Sequence, residues 1–161
     1  YEQYIITGTG IRVHTNSKGN ILAYFSNDNG SSYNTSNGNY VRSVLIGQGG
    51  LSDNALRARH GNDDAIQITG NAFDFGRDGN AGHAANFVLR CYNLRNLDTD
   101  FAQNRYVNVQ STYDDRDSTH GVSCKGDYIF MANTTEINNI QLSVSHSNTF
   151  GQGEFRLYGV K

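Results

Sequence analysis

The sequence predicts an all-β domain, an antiparallel two-sheet β-sandwich of jelly-roll type that contains at most one short helix. The composition is the first reason. Of 161 residues, 18 are glycine, 10 are tyrosine and 8 are phenylalanine, whereas glutamate, common on surface helices, occurs only at Glu2, Glu136 and Glu154. The second reason is that short apolar segments alternate with clusters of Gly, Asn, Asp and Ser, which are turn residues. A chain of this length suits one core, so we expect a single domain over residues 1–161.

About nine or ten strands are predicted, at spacings typical of a sandwich or barrel. In chain order the segments are 4–7, 11–14, 21–25, 40–46, 65–69, 86–94, 105–110, 127–131, 140–145 and 154–158, with a short additional one at 72–75. Most of these segments alternate between apolar and polar residues, which predicts one buried face for each strand. The predicted core consists of Ile21, Phe25, Ile66, Ile68, Val88, Leu89, Ile140, Leu142, Val144, Phe155 and Leu157.

Two segments depart from simple alternation. The run at 21–25 is continuously apolar, which indicates a strand that is covered on both faces. Residues 48–64 are the least β-like stretch, and here we expect the single short helix. Ser52 or Asp53 is its predicted cap, and Gly61 is its predicted stop.

The distribution of charge and of reactive side chains argues against several classes of function. The net charge of −2 is dispersed, so no basic patch for nucleic acid is expected, and no apolar run reaches the ~18 residues of a membrane span. The sequence has neither a Gly-x-Ser-x-Gly elbow nor a phosphate-binding loop. We therefore expect no enzyme activity, no catalytic residues and no cofactor. A small carbohydrate-active enzyme is the least favoured alternative.

Metal-ligand spacing is also missing. The five histidines are isolated from one another, and the Asp clusters do not have the spacing of a known Ca²⁺ loop, so no metal site is predicted. Cys91 lies in an apolar run and Cys124 is the only other cysteine. Free thiols are favoured over a disulfide between them, although the sequence leaves both open.

Glycan binding is the chemistry that the loops favour most. Sugar hydroxyls are bound by Asn, Asp and Gln side chains, and an aromatic ring stacks against the apolar face of the sugar. The long polar loop over residues 28–40 has this composition, and so does a shorter segment over residues 113–117. The candidate ligand-binding residues are Asp28, Asn29, Tyr33 and Tyr40 in the first and Tyr113 and Asp115 in the second. The interpretation that the sequence favours over glycan binding is that both are ordinary solvated loops whose tyrosines reach back to the core.

Three segments resemble the virion proteins of tailed bacteriophages. Residues 137–144 form an alternating strand, residues 147–161 contain a Gly-rich turn and end in Leu-Tyr-Gly-Val-Lys, and residues 24–33 combine a strand with Ser-x-Asp-x-Gly and an aromatic residue. The resemblance implies a jelly-roll sandwich, often trimeric, without catalytic residues, as found in capsid decoration proteins, head fibres and tail tips. We therefore expect a virion structural protein whose partners are other virion proteins. A receptor-binding or carbohydrate-binding module, with a host surface glycan as its ligand, is the alternative.

A homo-oligomer, most plausibly a trimer, is expected for a second reason. The segment 40–46 presents Tyr40, Val44 and Ile46 on one face and Val41 and Leu45 on the other. A strand that is apolar on both faces needs cover on both. The second sheet can cover one face. A neighbouring subunit is expected to cover the other, and the alternative is that residues 48–64 of the same chain cover it.

Overall fold

The computed structural model of the chain describes residues 1–14, 19–49, 55–70, 84–95, 105–114, 121–131, 136–146 and 149–161. Ten strands run through these residues, and they include no helix. The strands are β1 (Gln3–Val13), β2 (Ile21–Ser26), β3 (Tyr40–Gln48), β4 (Ala55–Asp63), β5 (Ile66–Gln67), β6 (Ala85–Tyr92), β7 (Tyr106–Asp114), β8 (Gly121–Phe130), β9 (Asn139–Val144) and β10 (Phe150–Val160). No described segment is therefore a candidate for a membrane-spanning helix.

The strands form two antiparallel sheets, so the predicted all-β, two-sheet fold is confirmed. The larger sheet has seven strands in the order β10-β1-β6-β7-β8-β3-β4, and the smaller has three in the order β5-β2-β9. Within the larger sheet, β6, β7 and β8 form a meander and β3 and β4 form a hairpin. The smaller sheet covers only part of the larger one, and this difference in width determines which residues are buried.

The core lies between the sheets, where alternate residues of each strand point inward. The burial of β8 alternates residue by residue, with Val122, Cys124, Tyr128 and Phe130 buried and their neighbours more exposed. Strand β2 lies at the centre of the smaller sheet, and five of its six residues are buried. The prediction that this strand is covered on both faces is confirmed.

The predicted helix is wrong. Residues 55–63 form β4, which pairs with β3 in unbroken register from Gln48↔Ala55 to Tyr40↔Asp63. Ala, Leu and Arg favour a helix locally, but the long-range pairing with β3 supplies a complete backbone ladder instead. The proposed caps Ser52 and Asp53 lie outside the described residues, as does the predicted short strand at 72–75.

The core prediction holds for most of the central strands and fails at Val88 and at one edge. Ile21, Phe25, Ile66, Ile68, Leu89 and Val144 are buried, while Ile140 and Leu142 are partly buried against the core. Val88 alternates with the buried Phe87 and Leu89, so it faces away from the core and its prediction is wrong. Phe155 and Leu157 are 39% and 66% exposed. Both lie on β10, the edge strand of the wide sheet. Their alternation predicts a buried face, but the three-stranded sheet is too narrow to cover that face completely.

Candidate functional site

The loop after β2 is built around the carboxylate of Asp28. Its Oδ1 accepts hydrogen bonds from Ser26 Oγ at 2.6 Å and from the Ser32 backbone N–H at 2.9 Å. Its Oδ2 accepts one from Ser32 Oγ at 2.5 Å. Ser26 Oγ in turn accepts the Gly30 backbone N–H at 3.0 Å. These bonds close a tight turn in which Asn29 and Gly30 take positive φ values of 59° and 83°, which Asn and Gly adopt with the least strain.

The Asp28 turn is also tied to the start of β9. Asn138 Oδ1 accepts the Asn29 backbone N–H at 3.0 Å, and Asn138 Nδ2 donates to the Asn27 carbonyl at 3.2 Å. The Tyr33 hydroxyl donates to Asn139 Oδ1 at 3.2 Å. Two segments more than 100 residues apart in sequence are thereby joined by side-chain amides. The loop is a pre-formed polar surface.

The hydrogen bonds also determine the acid strength of Asp28. Donation from Ser26 and Ser32 lowers the pKa of the Asp28 carboxyl from 3.8 to about 2. Both carboxylate oxygens are engaged within the turn. The role of Asp28 that these bonds establish is therefore to hold the loop, and exposed neighbours such as Asn29 and Ser31 are better placed to meet a ligand.

The predicted tyrosine ligands belong to the core, which corrects the interpretation of Tyr40 and Tyr113. Tyr40 is 0% exposed, and its hydroxyl accepts the Phe25 backbone N–H at 2.9 Å. Tyr113 is 3% exposed. A ligand at the surface reaches neither ring. Both residues begin or end strands next to polar loops, so their apolar surroundings are not visible in the local sequence.

The structure does not unite the two predicted glycan-binding segments. Tyr40 pairs with Phe130 at one end of the large sheet, whereas Tyr113 pairs with Val122 at the opposite end. Asp28, Asn29 and Tyr33 share the first end, and Asp115 lies outside the described residues. A hollow of about 770 Å³ near Tyr113 borders several stretches that are also outside the described residues.

A groove that the sequence did not predict runs between β9 and β10. We call it the β9–β10 groove. These strands are the edges of their respective sheets, so the sandwich is open between them. The groove measures about 640 Å³. Its apolar lining comes from Ile6, Ile140, Leu142, Phe155 and Leu157. Polar residues, among them Arg95, Glu136 and Asn139, complete the lining. An apolar floor with a few polar groups is the usual composition of a binding groove.

Two charged pairs and one aromatic contact involve residues that line the groove. Arg95 pairs with Glu136, and Arg156 donates two hydrogen bonds to the Glu154 carboxylate at 2.7 and 3.1 Å. The second pair lowers the pKa of Glu154 and raises the pKa of Arg156, so both remain charged at neutral pH. The Phe155 ring lies 5.0 Å from that of Phe150, between centroids. This contact packs Phe155, which lines the groove, against Phe150.

The described residues offer little for covalent or metal chemistry. No group of three His, Cys, Asp or Glu side chains within them is close enough to hold a metal ion. Cys91 and Cys124 are free, buried thiols. Burial raises their pKa to about 12 and about 11, so neither forms a reactive thiolate at neutral pH.

Comparison with known proteins gives no relative: no family model, no curated protein sequence and no solved structure matches the chain.

Proposed function

We infer that the chain is a non-catalytic structural protein of a tailed-phage virion, such as a capsid decoration, head fibre or tail-tip module, which docks onto other virion proteins and presents loops outward. One observation carries this proposal. The described parts of the three segments that resemble phage virion proteins lie together in the fold. Strand β2 pairs with β9, the Asp28 turn is bonded to Asn138 and Asn139, and β9 and β10 enclose the groove. Motifs separated by about 100 residues in sequence thus form one continuous surface.

The β9–β10 groove is suited to holding a protein partner. Leu157 is 66% exposed and Phe155 39%, and apolar side chains exposed together on one strand are characteristic of protein contact surfaces. The polar residues around the floor provide hydrogen-bonding groups at the rim, as interfaces usually have. The groove would attach the domain to the particle, while the Asp28 turn is held rigidly beside it.

Incorporation into particles tests the proposal. Tagged chain is added to particles that lack it, and particle-bound chain is measured after sedimentation. Leu157→Asp places a charge on the groove floor, and we expect incorporation to be lost. Leu56→Asp is the matched control, because Leu56 is 71% exposed on β4 at the opposite edge of the same sheet. Retained binding by Leu157→Asp, or equal loss with Leu56→Asp, would contradict attachment through the groove.

Glycan binding is a second candidate, favoured by the Asp28 turn alone. Tyr33 lies among Asn29, Ser31 and Ser32, and these three neighbours are exposed. Their amide and hydroxyl groups match those that recognise sugar hydroxyls. A glycan array probed with the native chain and with Tyr33→Ala tests this candidate. Signal that is lost in Tyr33→Ala and kept in Tyr106→Ala, which alters an exposed tyrosine on β7, supports it. An array without any specific signal rules it out.

A further inference from the structure

The two edges of the seven-stranded sheet differ in how they are protected. An exposed edge strand offers unpaired backbone groups to another chain, and proteins commonly guard such edges with charge. Strand β4 at one edge carries Arg57, Arg59 and His60. Strand β10 at the other edge spans 11 residues, and its only two charged residues, Glu154 and Arg156, neutralise each other through their hydrogen bonds. Within the described residues, β10 pairs with β1 alone.

Apolar exposure is concentrated on the same strand. Of the nine large hydrophobic side chains that are exposed in the described structure, four belong to β10. They are Phe155, Leu157, Tyr158 and Val160, at 39%, 66%, 46% and 40% exposure. Within the described residues, the regular part of β10 at 154–160 is an edge whose two charges pair with each other and which also carries apolar side chains, and such an edge is a surface for strand addition.

The sequence of β10 is complementary to its own reverse. When two copies run antiparallel with Phe155 opposite Phe155, Glu154 of each copy lies opposite Arg156 of the other. Leu157 lies opposite Gly153, which has no side chain to compete for the space. The register of β10 shifts at residues 150–154, where Gly153 takes a φ of 126°, so the regular pairing is centred on residues 154–156. Opposite charges that face each other across two strands attract, and a large residue beside glycine packs without a clash.

We propose that a second copy of this chain adds to the free edge of β10, antiparallel and with Phe155 on the two-fold axis, so that two seven-stranded sheets become one continuous sheet. This contact is isologous, since each copy contributes the same surface. It goes beyond the proposed virion function and does not depend on it. It predicts a dimer in place of the trimer that the resemblance to virion proteins implies.

Charge distinguishes this register from its neighbours. If the two-fold axis moves one residue toward the C-terminus, from Phe155 to Arg156, Arg156 lies opposite Arg156, and like charges directly opposite each other are destabilising. If it moves two residues, to Leu157, Arg156 lies opposite Tyr158 and Glu154 lies opposite Val160, so that neither charge meets its complement. Only the register centred on Phe155 pairs both charges of both copies.

Charge exchange within β10 tests the proposal on the full chain. The native chain is expected to have twice its mass of 17.8 kDa in light scattering at micromolar concentration. Glu154→Arg and Arg156→Glu each place like charges in two symmetric pairs, so each should weaken dimerisation by about tenfold or more. The double exchange, Glu154→Arg with Arg156→Glu, restores both pairs and should restore the dimer.

The controls separate the interface from the fold. The side chains of Glu154 and Arg156 are 58% and 60% exposed, so the variants should keep the native circular dichroism spectrum, and any decrease in melting temperature should be the loss of dimer stabilisation alone. Lys125→Glu changes an exposed charge within β8, away from the sheet edges, and should remain dimeric. A native chain of 17.8 kDa, a trimer, an oligomer unaffected by the single exchanges, or a double exchange that stays monomeric would each overturn the proposal.

Discussion

The hydroxyl of Tyr40 offers a sharp test of the assignment of this residue to the core. Tyr40→Phe removes one oxygen and keeps the ring, whose centroid lies 6.0 Å from that of Phe25 and 5.2 Å from that of Phe130. The lost group is the acceptor for the Phe25 backbone N–H in a fully buried setting. Leaving a buried donor unsatisfied costs about 1–3 kcal/mol.

The corresponding change in melting temperature can be estimated from the size of the domain. For a chain of 161 residues, 1 kcal/mol corresponds to about 2–4 °C, so we expect a decrease of roughly 2–12 °C in the melting temperature. Urea denaturation should give a lower midpoint with an unchanged slope. Tyr106→Phe is the control, because Tyr106 is 44% exposed, and it should leave the midpoint almost unchanged. Equal stability of Tyr40→Phe and the native chain would refute the assignment of the Tyr40 hydroxyl to a buried hydrogen bond in the core.

Three further predictions concern the loop, the core and metals. The Asp28 carboxyl should titrate near pH 2 in carbon NMR, and its contribution to stability, which is present above pH 3.8, should be lost as the pH falls toward 2. Ser32→Ala should move the midpoint of this titration back toward 3.8. An unchanged midpoint in Ser32→Ala would contradict the hydrogen bonds from Ser32. Leu142→Ala, at a partly buried position on β9, should cost about 2 kcal/mol, the lower end of the range for such truncations, and a loss below roughly 0.5 kcal/mol in a denaturant titration would place it at the surface. Excess EDTA should leave the melting temperature unchanged, whereas a clear decrease would reveal a structural metal.

The strands predicted best from the sequence are those whose environment is repeated along the strand. In β9, Ile140, Leu142 and Val144 recur at every second residue, and in β2 a continuous apolar run indicates cover on both faces. These patterns record the local geometry of a pleated strand, so the sequence alone is sufficient to identify them.

The errors arise where partners distant in the sequence determine the outcome. Strand β4 has helix-forming residues, and only its pairing with β3 makes it a strand. Phe155 and Leu157 alternate as core residues do, yet they lie on an edge strand that the smaller sheet leaves partly exposed. Burial there depends on the widths of the two sheets, which no local pattern encodes.

The candidate site was predicted only in part for the same reason. Asp28, Asn29 and Tyr33 were recognised as a polar loop, and the structure places them together. Tyr40 was assigned to that loop, although its ring reaches into the core through a strand that begins at this residue. The β9–β10 groove forms because two edge strands from different sheets face each other, and no local pattern encodes this arrangement. The apolar pattern of β10 is the only indirect indication of the groove in the sequence.

Quantitative mass spectrometry of purified particles tests the central claim most directly. Phage particles from a lysate that contains this chain are banded by density, and the copy number of the chain is measured relative to the major capsid protein. A virion structural protein is expected at the same copy number in every preparation, including after a high-salt wash. Recovery of the chain only in the soluble fraction, with none in the banded particles, would contradict the proposed function.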